Sequence, residues 1–382
     1  MSTRRAYCDH NATAPIRPEA AEAVARALML GNPSSVHQEG RAARGAVEQA
    51  RADVATLVGV APSQVIFTSG GTEAAAMALR PVSDDEVLFV GAAEHACVRA
   101  GGQFARDRIA VVPVDADGRI DFAELDLMVG ARGLLPGQVH VAVQIANNET
   151  GVINDPAVFS EMRAKGWTVT ADAVQALGKT SLEPYFDGVD FLLLSAHKIG
   201  GPKGAGALIT RGDGCGSMRP FLSGGGQERG MRAGTENVPG IAGFGAAARA
   251  VRLAGSERAE ASALRDAFEA GLHRLAPEAV VFGAGVTRLG NTSLFAIPGF
   301  RAETALIAFD LDGVAVSSGS ACSSGKVAKS HVLAAMGVAD DLSAAAIRIS
   351  FGWSSTQEDV TQVLNSLERQ LARLRTRRDS AA

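Results

Sequence analysis

The chain of 382 residues is long enough for about two domains, with 47% hydrophobic residues and a formal net charge of −4. This charge argues against a general nucleic-acid binder, which is usually basic. No secretory leader and no apolar stretch of membrane-spanning length are visible, so we expect a cytoplasmic protein with no membrane partner. The four cysteines show no C-x-x-C spacing, which predicts neither a zinc site nor a disulfide framework.

Short apolar segments alternate with helical patterns through the first two-thirds of the chain. The predicted strands are 65–68, 87–90, 109–114, 139–145, 167–171, 190–195 and 206–210. Helix-like stretches such as 40–58 and 121–132 lie between them. Apolar strands separated by helices predict a mostly parallel sheet that is covered on both faces. Polar functional groups should then gather where the strands end.

The pattern changes after the glycine-rich stretch 223–234. Helices dominate the following segment, and a smaller α+β unit comes after it. The predictions for this part are helices within 237–275, strands near 279–282, 291–297, 313–317 and 346–351, and a charged helix from about residue 356. We therefore predict a large domain of residues 15–255 and a small domain of residues 1–14 and 256–382. The residues before Pro15 fit either domain and are assigned here to the small one.

A lysine follows the apolar run FLLLS, within the sequence SAHKIGGPKG. Burying a lysine as a cation is costly. Lys198 therefore either emerges into solvent or has a pKa lowered by desolvation, which makes its neutral amine available as a Schiff-base group. Lys203 is the alternative lysine, but its place inside a Gly-Pro turn favours an ordinary loop residue.

Other predicted strands also run into polar segments. The sequence TSGGTE precedes a helix, whose free backbone N–H groups and Thr72 hydroxyl could bind an anion, although these residues are also typical of helix capping. Asp172 and Gln175 follow another strand, where a carboxylate could keep a pyridine nitrogen protonated or simply act as a cap. The asparagines of NNETG either belong to a functional site or simply form a polar turn. His95 could stack on an aromatic ring or be structural.

Two further candidates lie in the C-terminal part. Cys322 lies in the Ser/Gly-rich sequence SSGSACSSG, where exposure and motion suit a nucleophile. A structural cysteine is usually buried among apolar neighbours, and a loop thiol without function is the alternative. Arg348 lies within a predicted strand, where its guanidinium could bind a substrate carboxylate or pair with an acid.

Taken together and in this order, several motifs resemble those of the cysteine desulfurases. They are TSGGTE, AEHACV, NNETG, DAVQALGK, SAHKIGGPKG, GGGQERGMRAGTENV and SSGSAC. This family consists of homodimeric fold-type I pyridoxal-phosphate enzymes related to class V aminotransferases. The resemblance covers nearly the whole chain and, with NPSSVH, is closest to the nitrogen-fixation-type members. It implies an aspartate-aminotransferase-like α/β fold, with a mostly parallel seven-stranded sheet in a large domain and a smaller α+β domain.

The resemblance also implies a role for each matching residue. Lys198 is expected to hold pyridoxal 5′-phosphate, and Cys322 to receive sulfur as a persulfide while L-cysteine becomes L-alanine. His95 is expected to stack on the cofactor ring and to take part in catalysis. The other cofactor contacts are expected at Gly71, Thr72, Asn148, Asp172 (at the ring nitrogen), Gln175, Ser195, His197 and Thr235. Arg348, and as a weaker candidate Asn11, are expected to bind the substrate carboxylate.

The implied partners are a second copy of the chain, with Thr235 completing the neighbouring site, and a sulfur-acceptor or iron–sulfur scaffold protein. No resident metal is expected, although Cys322 could contact a transient iron–sulfur cluster. The loop after Cys322 departs from the family, since it reads Val327-Ala-Lys-Ser330 where Leu-Glu-Pro-Ser is frequent. The sequence also lacks the longer tail with which housekeeping members dock their scaffold protein, which leaves the scaffold partner open.

Three other functions fit parts of the pattern. Another enzyme of the same fold, such as an aminotransferase, a selenocysteine lyase or a β-lyase, would share the lysine, aspartate and arginine, but an aminotransferase needs no mobile loop cysteine. A non-catalytic scaffold would not need the complete set of Lys198, Asp172, His95 and Cys322. A nucleotide-binding protein that uses Gly224–Gly226 is disfavoured, because that glycine run has no clear strand–turn–helix context.

Overall fold

The computed structural model describes residues 4–212, 220–319 and 329–379, with side chains described as far as residue 375. The strands are β1 (Ala6–Tyr7), β2 (Val65–Thr68), β3 (Val87–Gly91), β4 (Ile109–Val112), β5 (Val139–Gln144), β6 (Thr168–Asp172), β7 (Phe191–Ser195), β8 (Gly206–Thr210), β9 (Val280–Val281), β10 (Thr292–Ala296), β11 (Val314–Ala315), β12 (Ser317–Ser318) and β13 (Ile347–Ser350). The helices are α1 (Pro18–Ala27), α2 (Gln38–Val58), α3 (Gly71–Ala78), α4 (Ala96–Arg99), α5 (Phe122–Ala131), α6 (Pro156–Ala164), α7 (Val238–Leu253), α8 (Glu257–Leu275), α9 (Ala302–Leu311), α10 (His331–Ala335), α11 (Asp340–Ser343) and α12 (Gln357–Asp379). Among these residues, no helix is long and apolar enough to cross a membrane.

The central sheet has seven strands in the order β2-β8-β7-β6-β5-β3-β4. Neighbouring strands run parallel except where β8 pairs with β2 and with β7. Strands β2, β3, β5 and β8 are buried along their whole length, as expected for a sheet covered on both faces. The predicted mostly parallel, seven-stranded α/β sheet is therefore confirmed. Its parallel strands end at one edge, which brings the polar segments that follow them together.

Helices α1 and α2 both pack closely against α7, and all three contribute residues to the core on one side of this sheet. Small residues allow this approach: a Cβ added to Gly245 in α7 would lie 2.4 Å from the Cα of Ala50 in α2. Helix α2 begins at its N-cap His37, whose side chain accepts a hydrogen bond from the Gly40 N–H, and it ends at Gly59 in the left-handed conformation.

A second hydrophobic cluster lies between β10 and β13 and the helices α8, α9 and α12, and it includes buried Phe268, Phe295 and Phe309. Its four-stranded sheet has the order β12-β13-β10-β9, and β1 pairs in parallel with β11 next to it. The N-terminal residues Ala6 and Cys8 are buried in this cluster. The boundary predicted near Gly255 falls between α7 and α8, and the division into two domains stays a prediction.

Candidate active site

A cavity of about 410 Å³ lies at the edge where the parallel strands of the large sheet end. It is lined by Asn11, Ala12, Gly71, Thr72, His95, Cys97, Gln144, Ala146, Asn148, Asp172, Val174, Gln175, Ser195, His197, Lys198 and Arg348. Most of the residues singled out from the sequence thus meet in one cavity, although they are up to 337 positions apart in the chain. Their separate roles stay predictions.

Lys198 reaches this cavity because strand β7 ends at Ser195 and a 3₁₀ turn, Ala196–Lys198, follows directly. Its amine donates hydrogen bonds to the carbonyl oxygens of Asn11 at 2.6 Å and Ala12 at 2.9 Å. Lys203 is exposed and does not line the cavity. Of the two lysines in this motif, Lys198 is therefore the one whose amine faces the polar groups gathered there.

The start of α3 forms one end of the cavity. Gly70 precedes the helix with φ of 155°, a backbone conformation that glycine adopts readily and other residues do not. Gly71 and Thr72 form the first turn, where backbone N–H groups lack intrahelical partners and can bind an anion. Buried Ser195 contributes a hydroxyl to the same cavity.

His197 lies beside this end, and its Nδ1 is 3.2 Å from the Thr13 hydroxyl. Burial, together with the positive charges of Lys198, Lys203 and Lys179, lowers the pKa of His197 to about 4. The imidazole is therefore neutral near pH 7. It can accept or donate a hydrogen bond there, but it brings no positive charge of its own.

Asp172 is the last residue of β6 and is buried, with its Oδ1 accepting a hydrogen bond from the Val174 N–H at 2.8 Å. Burial raises the pKa of this carboxyl, and the Val174 N–H and the charges of His95 and Lys198 act in the opposite direction. A cationic partner would favour the ionised form further. Asp172 is thus suited to hold a positively charged or proton-bearing group within the cavity.

His95 is the N-cap of α4, and its Nδ1 lies 3.3 Å from the Cys97 backbone N–H and 3.0 Å from the Cys97 Sγ. Because Nδ1 accepts the backbone N–H, the neutral ring carries its proton on Nε2. The thiol of Cys97 lines the cavity as well.

Arg348 is a residue of β13 that lines the cavity and is only 2% exposed. It donates to the Asn148 carbonyl oxygen at 3.0 Å and to the Asp9 carboxylate at 2.7 Å. Its buried Nε has no hydrogen-bond partner among the described residues. An anion that reached this guanidinium would meet a charge that Asp9 neutralises only in part.

Asn11 has a different character, because its side-chain amide is saturated. Its Oδ1 accepts from Lys179 at 2.8 Å and from Asn291 at 3.1 Å. Its Nδ2 donates to Thr292 at 2.9 Å and to the Asn148 carbonyl at 3.3 Å. Four hydrogen bonds are the full capacity of an amide, so a substrate carboxylate, which only accepts, would have to displace Thr292 or the Asn148 carbonyl from Nδ2.

Among the predicted residues that the structure describes, one does not line the cavity of this chain. Thr235 is exposed, in the loop before α7. Cys322 lies outside the described residues, in the gap between 319 and 329. The expectations for both stay predictions.

Several polar residues near the site were missed from the sequence. Cys97 and Gln144 line the cavity, and Lys179 contacts two of its wall residues. Lys179 lies four residues after Gln175, a spacing that could have indicated their contact. Glu149 of NNETG is buried and accepts a hydrogen bond from the Ser330 hydroxyl, and burial raises the pKa of its carboxyl to about 7.

Comparison with known proteins gives consistent matches over nearly the whole chain. The model of the class-V aminotransferase family matches residues 6–363. A cysteine desulfurase of a Frankia species is 39% identical and covers 97% of this chain and 92% of its own length. Cysteine desulfurase IscS of Dictyoglomus turgidum is 37% identical over 98% of this chain and 96% of its own length. The X-ray structure of a NifS-like protein from Rickettsia africae has a TM-score of 0.87 at 32% identity, covering 97% of this chain and all of that chain.

Proposed function

This chain belongs to the cysteine desulfurases of the class-V aminotransferase family, and from that premise we propose that it removes sulfur from L-cysteine with the help of pyridoxal 5′-phosphate. L-Alanine is the second product, and Cys322 receives the sulfur as a persulfide. One observation carries the proposal. Lys198, Asp172 and His95, which come from the ends of three different strands, line a single cavity together with Arg348.

The residues of this cavity fit pyridoxal phosphate. Gly71 and Thr72, at the start of α3, offer backbone and hydroxyl donors for a phosphate. A Cβ at Gly71 would come within 2.9 Å of Val174, so glycine is needed to keep this end of the cavity open. Ser195 and His197 supply further polar groups, and neutral His197 can do so without repelling Lys198.

When bound, the cofactor supplies an electron sink that stabilises negative charge at the substrate Cα, and the protein supplies binding, proton transfer and electrostatics. Asp172 would keep the pyridine nitrogen protonated, because a buried carboxylate can pair with that N–H without competition from water. Lys198 would hold the cofactor, and its amine, when not attached, would take the proton from the substrate Cα. His95 would contact the cofactor ring and would have its Nε2–H available as a donor, since its Nδ1 accepts the Cys97 N–H.

Arg348 binds the carboxylate of L-cysteine. Its guanidinium is always charged, and the described residues leave its buried Nε–H without a partner. The substrate carboxylate competes with Asp9 for the same group. Because Asn11 is saturated by Lys179, Asn291, Thr292 and Asn148, its contribution to substrate binding is smaller than that of Arg348.

Cys322 attacks the sulfur of the substrate as a thiolate, so that an S–S bond forms on the protein and the Cβ–S bond breaks. The electron pair of the broken bond stays with Cβ, which takes up a proton, and the fragment leaves as L-alanine. A second copy of the chain contributes Thr235 to the neighbouring site, and a sulfur-acceptor protein, such as an iron–sulfur scaffold, takes the sulfur from Cys322. The exposure of Thr235 on this chain supports its use outside its own cavity.

Incubation of the purified holoenzyme with L-cysteine tests the proposal. We expect one alanine per persulfide in a single turnover, with the persulfide mapped to Cys322 by mass spectrometry. In Cys322→Ala, the absorbance band of the bound cofactor should remain while persulfide formation stops. Cys215→Ser, which removes another thiol, is the matched control and should behave as the wild type.

Two results would contradict this assignment. Formation of a keto acid in place of alanine would indicate an aminotransferase. Full sulfur release by Cys322→Ala in a single turnover would remove the proposed role of Cys322.

A further inference from the structure

Glu73 is an acidic residue in the first turn of α3, directly after Gly71 and Thr72, which are proposed to bind the cofactor phosphate. Its side chain is only 11% exposed. The Oε2 of its carboxylate accepts a hydrogen bond from the Ser69 N–H at 2.8 Å, and the Oε1 accepts one from the Nε of Arg232 at 2.9 Å. The carboxylate therefore lies at the same end of α3 as the proposed phosphate site, and Arg232 pairs with it there.

A carboxylate at this place has two opposite effects. It accepts the Ser69 N–H and so holds the turn before α3, in which Gly70 has φ of 155°. It is also a negative charge next to a site for a phosphate, and like charges disfavour each other. Burial alone would raise the pKa of Glu73, but the hydrogen bonds from Arg232 and Ser69 and the charge of Arg232 lower it, so the carboxyl is ionised near pH 7. Without a compensating cation, Glu73 would therefore weaken phosphate binding.

Arg232 comes from the loop before α7, whose backbone is held by other contacts. Glu228, four residues earlier, is buried, and its carboxylate accepts hydrogen bonds from both terminal nitrogens of Arg51 at 2.8 Å. On the other side, the Ala233 N–H donates to the Leu222 carbonyl oxygen at 3.1 Å. These contacts do not involve the guanidinium of Arg232. We therefore expect the loop to keep its backbone conformation when that side chain is replaced.

We propose that Arg232 is a positioning residue for cofactor binding that acts through Glu73. It offsets the negative charge of Glu73, so that this carboxylate can hold the turn before α3 without repelling the phosphate at Gly71 and Thr72. The effect concerns the phosphate group of the cofactor and not its ring or its aldehyde. This inference rests on the proposed function, because it concerns how the same cavity receives its cofactor.

The test uses four variants of this ion pair. Arg232→Met removes the positive charge and leaves Glu73 uncompensated, whereas Arg232→Lys keeps the charge. Glu73→Gln removes the negative charge but keeps an oxygen that can accept the Ser69 N–H. The double variant Glu73→Gln/Arg232→Met removes both charges. Arg249→Met is the matched control, because Arg249 also pairs through its Nε with a carboxylate that is 11% exposed, that of Asp53, and neither residue lines the cavity.

The first measurement compares the dissociation constants of pyridoxal phosphate and of pyridoxal, which lacks the phosphate, by absorbance titration of the cofactor-free protein. In Arg232→Met we expect about tenfold weaker binding of pyridoxal phosphate, because the phosphate meets an uncompensated negative charge. The affinity for pyridoxal should stay as in the wild type. Arg232→Lys and Arg249→Met should bind both compounds as the wild type does. Equal weakening for both compounds in Arg232→Met would indicate a purely structural role and overturn the proposal.

The second measurement is the affinity of the Glu73 variants for pyridoxal phosphate. Glu73→Gln should bind it at least as tightly as the wild type, because the remaining charge of Arg232 is positive. The double variant should return to the wild-type affinity, since it contains neither charge. If Arg232 only supported the loop, removal of the Glu73 charge would not restore binding. A double variant as weak as Arg232→Met would therefore overturn the compensation of Glu73 by Arg232.

Failure of this inference and failure of the proposed function give different results. If the wild-type protein itself does not bind pyridoxal phosphate at Lys198, the proposed function fails, and this inference fails with it. If the wild type binds it and Arg232→Met binds it equally well, only the role of Arg232 fails. If Arg232→Met does not fold, Arg232→Gln and Glu73→Gln/Arg232→Gln decide the question by the same comparison.

Discussion

The two sides of the cavity differ in how their residues arrive there. On one side, Asp172 is the last residue of a strand of the large sheet, and His95 and Lys198 lie within four residues of the ends of two others. On the other side, Arg348 lies inside a strand of the smaller sheet, and Asn11 lies in the N-terminal segment next to it. The first side is backed by the buried core of one sheet. The second is joined by hydrogen bonds between segments that are distant in the chain.

This difference suggests a division of labour. The sheet edge carries groups that suit a cofactor: an amine, a carboxyl for a ring nitrogen, and a helix start for a phosphate. The opposite side carries the guanidinium that suits a substrate carboxylate. Substitutions on the first side should therefore change the binding and the absorbance of the cofactor. Substitutions on the second side should change the affinity for the substrate.

The largest effect is expected for Lys198→Ala, at the sheet edge. Loss of the amine removes both the attachment of the cofactor and the group that takes the Cα proton. Activity should fall by about 10⁴, the upper range for a proton-transferring group, and the absorbance band of the attached cofactor should disappear. Lys203→Ala, at an exposed position of the same loop, serves as control. An intact band in Lys198→Ala, with loss in Lys203→Ala, would reverse the assignment of the lysine.

Asp172→Asn tests the same side without removing the cofactor. The amide can still accept the Val174 N–H, so the local turn should persist. It cannot carry the negative charge that keeps a ring nitrogen protonated, and kcat should fall by about 10²–10³. Single-turnover rates and the absorbance of the bound cofactor are the measurements. A wild-type kcat with an unchanged spectrum would exclude a contact of Asp172 with the ring.

Arg348→Gln tests the opposite side. Hydrogen bonds to charged groups contribute about 1.5–3 kcal/mol, so KM for L-cysteine should rise about ten- to a hundredfold. The spectrum of the bound cofactor should stay as in the wild type. Arg301→Gln, at an exposed position before α9, is the control. The division of labour breaks down if Arg348→Gln alters the cofactor spectrum and leaves KM unchanged.

The smallest effect concerns stability at low pH and the buried His10 of the N-terminal segment. Burial, then the charges of Lys179 and Arg17, lowers the pKa of His10 to about 3. Between about pH 6.5 and 3 the unfolded chain therefore binds more protons than the folded one, so the free energy of unfolding decreases as the pH falls. His10→Gln should make this decrease smaller, by at most about 1.4 kcal/mol per pH unit.

Urea unfolding at several pH values measures this effect, and His273→Gln, at an exposed position, is the control. Equal slopes in the wild type and in His10→Gln would contradict the buried neutral state of His10.

Much of the fold was predictable from sequence, and the reason is periodicity. The apolar runs that form β2 and β8 are buried throughout, and a short run of consecutive apolar residues favours a buried strand. The short strands of the second cluster were less well defined. The predicted strand 313–317 is divided into β11 and β12, which belong to different sheets. The position of a two-residue strand depends on the strand it pairs with, because two residues are too few to show a hydrophobic pattern of their own.

The candidate site was predictable in part. The residues after strand ends could be placed from the sequence, because parallel strands bring their carboxyl ends to one edge. The fact that Asn11 already makes all its side-chain hydrogen bonds could not be predicted, since its partners Lys179, Asn291 and Thr292 are 168 to 281 positions away. The contact between Arg348 and Asp9 likewise could not be predicted from local sequence patterns.

The sequence by itself therefore determined the buried strands, the glycines and the polar residues that follow them, because these depend on spacing and local backbone geometry. Tertiary structure alone decided which of those polar groups share a cavity wall and which hydrogen bonds are already in use. It also decided that two lysines meet at Asn11. The physical reason is that the charge of a side chain and the hydrogen bonds it has left to make depend on its neighbours in space. Those neighbours come from segments that are distant in the chain.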